Sequence, residues 1–229
     1  MSAKTTLIVV RHGNTFNSGD TILRVGGATD LPLTEKGIAQ GAAVGLELAK
    51  RNITPAKIFC APLLRTRRTA EEIAGHFPGI TPENMQFLTE LPYGLDDGAP
   101  EDDVVIRIGM IEKLAEITVE TTIDELRSAG KAALKIWDNE AILPKAWAHL
   151  APLAAELNGQ WQELGKTVVE KFAGKTVVAV TSNGIARFSK ALLPAGITPP
   201  ENLKLATGAF GIYTFENGIW SCSEWNIRP

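Results

Sequence analysis

Apolar runs rich in β-branched residues alternate along this chain with segments of helical spacing. Residues 7–10 predict a first strand, and the apolar positions of 34–52 predict a helix that begins at Thr34. The tail 210–225 predicts a β-hairpin, because Asn217-Gly218 is a favoured two-residue turn. Strands that alternate with helices predict a three-layer α/β/α fold with a mostly parallel central sheet. Further strands are predicted at 57–61, 85–91 and 176–182, with helices at 65–76 and 185–193.

Residues 95–172 have a different pattern, in which helical stretches follow one another with no strand between them. No linker or change of composition separates this segment from the rest. The sequence therefore predicts one domain over residues 1–229, with a helical insertion at 95–172 that can cap the site. Its helices are predicted at 104–115, 122–137 and 147–171, its acidic start at 96–103 is predicted to be a solvated loop, and Trp137, Trp147 and Trp161 are predicted to lie in the core.

Composition narrows the classes of function. Hydrophobic residues make up 45% and charged residues 21% of the 229-residue chain, as in ordinary soluble globular proteins. The net charge of −3 argues against nucleic-acid binding, because a phosphate backbone calls for a basic face, but it leaves room for a small phosphorylated ligand. No apolar run approaches the roughly 20 residues that span a bilayer, and Cys60 and Cys222 form neither a disulfide framework nor a metal motif. We therefore expect a cytoplasmic protein with no membrane partner, no cofactor and no metal, and the oligomeric state stays open.

The segment Arg11-His12-Gly13-Asn14-Thr15 directly follows the first predicted strand. A neutral imidazole nitrogen can attack phosphorus, and the adjacent guanidinium can hold two phosphate oxygens in a planar fork. Thr15 and Asn17 add neutral hydrogen-bond donors. Catalytic residues of such folds gather at the carboxyl ends of strands. The segment therefore predicts a phosphate site in which His12 is the nucleophile.

Arg-His-Gly-x-Thr, followed by Asn17, resembles the opening motif of the histidine phosphatase superfamily, also called the phosphoglycerate mutase-like family. Four later stretches resemble the family's further motifs in the family's order. They are Asp30-Leu31-Pro32-Leu33-Thr34 with Gly37 and Gln40, Pro62-Leu63-Leu64-Arg65-Thr66 with Thr69-Ala70, Leu88-Thr89-Glu90 with Gly94 and Asp97-Gly98, and residues 180–187. Together these stretches cover most of the chain outside the insertion.

This resemblance implies a metal-independent phosphomonoester hydrolase that acts on a small phosphorylated molecule and releases inorganic phosphate. His12 would accept the phosphoryl group, and Arg11 and Arg65 would hold its oxygens. Glu90 would protonate the leaving oxygen and then deprotonate the attacking water. Phosphoglycerate mutase-type transfer is one alternative, and a non-catalytic module that binds a phosphorylated ligand is another.

The last motif departs from the family pattern, which has a second histidine that donates to the phosphate. With the motif registered on Gly184 and Arg187, Ser182 occupies that position and Asn183 follows it. A serine hydroxyl can donate one bond, but charge-assisted bonds are about twice as strong as neutral ones. Three explanations follow: a slower or re-tuned phosphatase in which Ser182 or Asn183 binds the phosphate, a phosphate-binding pseudoenzyme, or replacement by His149 from the insertion.

Overall fold

The computed structural model describes residues 4–229 and contains a six-stranded mixed sheet. The strands are β1 (Thr5–Arg11), β2 (Pro55–Cys60), β3 (Glu83–Asn84), β4 (Thr176–Thr181), β5 (Phe210–Glu216) and β6 (Ile219–Ile227). Their order in the sheet is β3-β2-β4-β1-β5-β6. The pairings β3–β2, β2–β4 and β4–β1 are parallel, whereas β1–β5 and β5–β6 are antiparallel. The predicted α/β fold with a mostly parallel sheet is confirmed, although residues 1–3 of the predicted domain lie outside the described chain.

The sheet separates two apolar cores, because alternate side chains of a strand point to opposite faces. Ile8 and Val10 of β1 belong to the core that contains Val44 of α1 (Glu35–Lys50) and Ile73 of α2 (Leu64–Ala74). Leu7 and Val9 belong to the other core, which is covered by α5 (Ala151–Lys171). Helices therefore cover both faces of the sheet. The helix α1 begins as predicted, with Thr34 as its N-cap residue.

The segment predicted as an insertion contains α3 (Glu101–Glu112), α4 (Ile123–Glu140), a 3₁₀ helix over Lys145–Leu150 and α5. The helices α3 and α4 cross closely, because Gly109 and Gly130 face one another. A Cβ atom on Gly130 would lie 2.8 Å from the carbonyl carbon of Val105. The three tryptophans predicted to be core, Trp137, Trp147 and Trp161, are fully buried.

The prediction of a strand at 85–91 is wrong. The edge strand β3 has only two residues, which pair with Phe59 and Cys60. The chain then forms a 3₁₀ helix over Gln86–Leu88, and Leu88 is buried in the core beside the insertion. Its carbonyl accepts a hydrogen bond from the hydroxyl of Thr181 at 2.6 Å. The apolar residues of this segment therefore pack across the end of the sheet instead of pairing along its edge.

The prediction of a solvated loop at 96–103 is also wrong at its first residue. Asp96 is buried, because its carboxylate accepts a hydrogen bond from the indole nitrogen of Trp147 at 2.7 Å and pairs with Arg107. The helix α3 already begins at Glu101. The predicted helix at 185–193 is divided between α6 (Asn183–Ala186) and a 3₁₀ helix over Arg187–Leu192.

The predicted hairpin is confirmed. Asn217 and Gly218, which join β5 to β6, have φ angles of 52° and 82°, as a type I′ turn requires. Over residues 4–229, no helix is long and apolar enough to cross a bilayer.

Candidate active site

The site lies where the parallel strands β1 and β4 end side by side. Arg11 is in register with Thr181, and the backbone nitrogen of His12 donates to the carbonyl of Thr181 at 3.0 Å. His12 and Ser182 therefore follow their strands at the same edge of the sheet. A cavity of about 720 Å³ opens here. Of the predicted site residues, its lining contains Arg11, His12, Thr15, Asn17, Glu90 and Asn183, but neither Arg65 nor Ser182.

The imidazole of His12 is held in one tautomer. Its side chain is buried, and Nδ1 donates to the carbonyl of Gly13 at 2.7 Å. Because a carbonyl can only accept, Nδ1 carries the proton and Nε2 retains its lone pair. Burial, followed by the charges of Arg65 and Arg11, lowers the pKa of His12 well below its ordinary value. His12 is therefore a neutral imidazole with one nitrogen available to attack an electrophile.

The loop that carries His12 is fixed against α1 and α2. The backbone nitrogen of Gly13 donates to the hydroxyl of Thr69 at 3.0 Å. A Cβ atom on Gly13 would lie 2.7 Å from the carbonyl carbon of Gly37. The carbonyl of Asn14 accepts from the backbone nitrogen of Thr34 at 2.9 Å. Glycines are required at positions 13 and 37 because the two backbones touch there.

Of the two predicted phosphate-binding arginines, Arg65 is fully buried and Arg11 is half-buried, and they differ in the hydrogen bonds that they make. Arg11 donates from Nη1 to the carbonyl of Leu205 at 2.7 Å, and burial, followed by the charge of Arg187, lowers its pKa to about 10. Arg65 donates to the carbonyls of Thr29 at 2.8 Å and Gly26 at 3.0 Å. Each guanidinium keeps an Nε atom without a partner among residues 4–229. Arg65 therefore supplies charge close to His12 while it also anchors the loop at 26–29.

Glu90 lines the cavity with a carboxylate that two backbone amides hold in place. Oε1 accepts from the nitrogen of Leu91 at 2.8 Å, and Oε2 accepts from the nitrogen of Gly184 at 2.9 Å. The phenol of Tyr93 lies beside it, since a Cβ atom on Gly184 would contact both groups. The backbone of Gly184, just beyond β4, therefore helps to position the carboxylate of Glu90.

Position 182 holds a buried hydroxyl. Ser182 is 1% exposed, and its Oγ has no hydrogen-bond partner within the described part of the chain. Asn183 accepts from the nitrogen of Leu205 at 2.9 Å through Oδ1, which leaves its amide donors for other groups. His149 is exposed and does not line the cavity. The structure therefore brings Asn183, and not His149, to the site.

Several cavity residues were missed by the sequence reasoning. Arg24 lies 4.9 Å from the ring of Trp147 and pairs with Glu101 at 2.5 Å. Arg187 pairs with Asp138. Arg187 stands in the last family motif, which could have identified it, whereas the loop and insertion residues have no local motif. Further missed lining residues include Lys36, Tyr93, Leu134 and Lys204.

No group of three or more His, Cys, Asp or Glu side chains over residues 4–229 has an arrangement that could hold a metal ion. The charged groups of the cavity instead combine arginines and lysines with three carboxylates, those of Glu90, Glu101 and Asp138. Such a cavity suits a polar, anionic ligand, because guanidinium groups bind phosphate oxygens well.

Comparisons with known proteins agree with this geometry. Residues 7–109 match the sequence profile described as "Histidine phosphatase superfamily (branch 1)". A sequence search of curated proteins finds no significant match. A phosphoglycerate mutase from Bacillus anthracis str. Sterne has a similar structure, with a TM-score of 0.69 and 19% identity over 98% of this chain and 94% of that one.

Two phosphatase structures are similar as well. A phosphoserine phosphatase from Entamoeba histolytica, in complex with 3-phosphoglyceric acid, has a TM-score of 0.65 and 19% identity over 97% of both chains. A mycobacterial glucosyl-3-phosphoglycerate phosphatase has a TM-score of 0.60 and 22% identity over 98% of this chain and 100% of that one. The resemblance read from the motifs is confirmed over residues 7–109, which match the histidine phosphatase superfamily, and the fold of the chain is phosphoglycerate mutase-like.

Proposed function

We propose that this protein is a metal-independent phosphomonoester hydrolase that acts through a phosphohistidine on His12. The observation that carries the proposal is the state of His12. The residue is a buried, neutral imidazole whose Nδ1 is engaged by a backbone carbonyl, so that Nε2 is free at the wall of a cationic cavity. The match of residues 7–109 to the histidine phosphatase superfamily and the similarity of the fold to phosphatases support the same reaction class.

In the first step, Nε2 of His12 attacks phosphorus in line with the leaving oxygen. The N–P bond forms as the P–O bond to the leaving group breaks, and Glu90 gives its proton to that oxygen. Arg11 and Arg65 neutralise charge on the non-bridging oxygens, which is most of what a protein can contribute to phosphoryl transfer. Their burial strengthens this effect, because the cavity wall has a lower dielectric constant than water.

In the second step, water attacks the phosphohistidine. The Glu90 carboxylate takes a proton from the water as the new O–P bond forms and the N–P bond breaks. Inorganic phosphate leaves, and His12 returns to its neutral form. The amides of Leu91 and Gly184 hold the carboxylate for both proton transfers, and such fixed geometry is what general acid–base catalysis requires.

Neutral donors complete the proposed phosphate site. Thr15 and Asn17 reach the cavity from the loop after β1, and Asn183 reaches it from the start of α6. Ser182, which lies between β4 and α6, has a buried hydroxyl without a partner in residues 4–229. We assign these side chains to phosphate binding because each has a donor that the described residues leave available.

The insertion at 95–172 is proposed to cap the cavity within a single domain. Glu101 of α3, together with Leu134 and Asp138 of α4, supplies part of its wall. Because this wall lies away from His12 in sequence and carries charges of its own, we propose that it determines which phosphomonoester is accepted.

One observation favours a second candidate function, which is phospholigand binding without catalysis. Ser182 lacks the charge of the family's second histidine. The loss of one preorganised transition-state donor typically costs about 10²–10³ in rate. A protein that binds a phosphorylated ligand but hydrolyses it at a negligible rate would be consistent with a loss of this size.

Turnover of an aryl phosphate separates the two functions. We expect wild-type protein to release inorganic phosphate from p-nitrophenyl phosphate and His12→Ala to fall to the buffer background. His76→Ala is the matched control, because His76 is exposed and lies outside the cavity. Equal turnover by wild type and His12→Ala would contradict the mechanism. Phosphate binding by wild type without any hydrolysis would favour the binding module.

A further inference from the structure

Arg187 is a buried guanidinium that returns to the start of α6. It is 3% exposed and lines the cavity. Its Nη1 donates to the carbonyl of Asn183 at 3.2 Å, and Asn183 is the residue next to Ser182. A side chain that begins one helical turn further along the chain therefore brings its charge back to the end of β4.

The guanidinium is fixed by neighbours from the insertion. Its central carbon lies 4.5 Å from the ring centre of Trp137, and Nη2 pairs with Asp138. Stacking on an indole and pairing with a carboxylate restrict both the plane and the orientation of the group. The Nε atom has no partner anywhere in residues 4–229. A buried charged donor left unpaired is costly, and an anionic ligand in the cavity would satisfy it.

Arg187 also lies close to the proposed phosphate site. Among neighbouring charges, Arg187 has the largest effect in lowering the pKa of Arg11. The half-buried guanidinium of Arg11 and the buried one of Arg187 disfavour each other's charge unless an anion compensates them. Both line the cavity, and each keeps an Nε atom without a partner in residues 4–229, as do Arg65 Nε and Ser182 Oγ nearby in the chain's site segments. An anion in the cavity would offset the repulsion between the two guanidinium groups.

Position 182 is compatible with this arrangement. Its serine is short, and its hydroxyl is buried without a partner in the described chain. An uncharged donor there leaves the phosphate without the cation that the superfamily pattern places after β4. The guanidinium next to Asn183 lies at the same end of the strand and has permanent charge.

We infer that Arg187 donates to the transferred phosphoryl group and supplies the charge that the superfamily pattern assigns to a second histidine. This inference rests on the proposed function, since it assigns a residue to the same reaction. It makes Arg187 a catalytic residue and explains how a site with Ser182 can remain active.

Substitution of Arg187 tests the inference. We expect Arg187→Gln to lower kcat/KM for p-nitrophenyl phosphate by about 10²–10³, the cost of one transition-state donor, and Arg187→Lys to retain part of the lost rate. The matched control is Lys190→Gln, because Lys190 also links the 3₁₀ helix to the end of α4, through the carbonyl of Glu140, but lies outside the cavity. Control activity should equal wild type.

A second substitution separates a phosphate ligand from a structural arginine. If Arg187 stands in for the histidine, Ser182→His should raise kcat/KM about tenfold or more in the Arg187→Gln background, and much less in wild type, since coupled residues are not additive. Equal effects of Ser182→His in both backgrounds would overturn the inference.

Orthovanadate binding keeps the test independent of turnover. We expect Arg187→Gln to bind vanadate at least about tenfold more weakly than wild type, and unchanged affinity would overturn the inference even in a folded, active variant. Absence of phosphohistidine in the wild-type protein would instead refute the proposed function, whatever the vanadate result.

Discussion

Replacement of Gly184 by alanine tests the role of Glu90 without altering the carboxylate itself. A Cβ atom at position 184 would lie 2.9 Å from Cδ of Glu90 and 2.8 Å from the hydroxyl of Tyr93, and closer still to Oε1 of Glu90. Ordinary contacts between heavy atoms are about 3.5–4.0 Å. The carboxylate must therefore move by roughly 1 Å, and its hydrogen bond from the Gly184 nitrogen lengthens.

A displacement of this size has a predictable cost. Misplacement of a catalytic group by about 1 Å can reduce the rate about 10²-fold, which corresponds to about 2.7 kcal/mol of transition-state stabilisation. The loss should depend on the leaving group. An alkyl phosphate needs a proton on its leaving oxygen, whereas p-nitrophenolate leaves without one, so we expect the full loss for the alkyl ester and a smaller loss for the aryl ester.

The assay compares kcat/KM for the two esters in wild type and Gly184→Ala, because this constant reports the phosphorylation step. Gly159→Ala is the control, since a Cβ atom on Gly159 meets nothing within 4 Å and should raise the free energy of unfolding by about 0.4–1 kcal/mol. Equal losses for both esters in a Gly184→Ala protein that is folded by urea titration would refute Glu90 as the general acid. Unchanged kcat/KM for the alkyl ester would refute it as well.

Three further outcomes are expected. The pKa of His12 in the folded protein is depressed from its ordinary value of about 6.5. As pH falls, His12 therefore binds a proton in the unfolded chain before it does so in the folded protein. The contribution of His12 to the free energy of unfolding is present above pH 6.5 and is lost as pH falls. Between pH 7 and 5, urea titration should show that wild type loses more unfolding free energy than His12→Ala, by up to about 1.4 kcal/mol per pH unit. Gly130→Ala should cost about 1–3 kcal/mol or more in the same titration, because its Cβ would meet the α3 backbone. Trp147→Phe should lower the free energy of unfolding by about 1–3 kcal/mol, because it removes the indole donor to buried Asp96. Wild-type stability of Gly130→Ala or of Trp147→Phe would contradict the packing of these residues.

The elements that the sequence predicted correctly are those whose burial follows a local period. The strands β1 and β4 are continuously apolar over residues 7–10 and 177–180 because both of their faces are covered, and the hairpin follows from Asn217-Gly218. The segment 85–91 misled the prediction because its apolar residues serve the core at the end of the sheet. No local pattern distinguishes that use from strand pairing. Asp96 was misplaced for the same reason, since its partners are distant in sequence.

Within the site, the residues in contiguous motifs could be predicted from the sequence, whereas those placed by tertiary packing could not. His12 and Glu90 were predicted from contiguous motifs, and the structure brings both to one cavity. Arg65 is not among the lining residues of the cavity, and its guanidinium donates to backbone carbonyls, so its role in phosphate binding stays a prediction. Arg24 and Asp138 could not be predicted, because only the packing of the insertion places them beside the cavity.

The tautomer of His12 could not be predicted from the sequence either, since it depends on the hydrogen bond from Nδ1 to the Gly13 carbonyl. That bond leaves the lone pair of Nε2 available, and the nucleophilic role that we propose for it is the central claim. Rapid acid-free quenching of wild-type protein during turnover of an aryl phosphate, followed by peptide mass spectrometry, tests this claim most directly. We expect an acid-labile phosphoryl group on His12 that is absent from His12→Ala. Turnover without any phosphorylated His12, or with the phosphoryl group on another residue, would contradict the account.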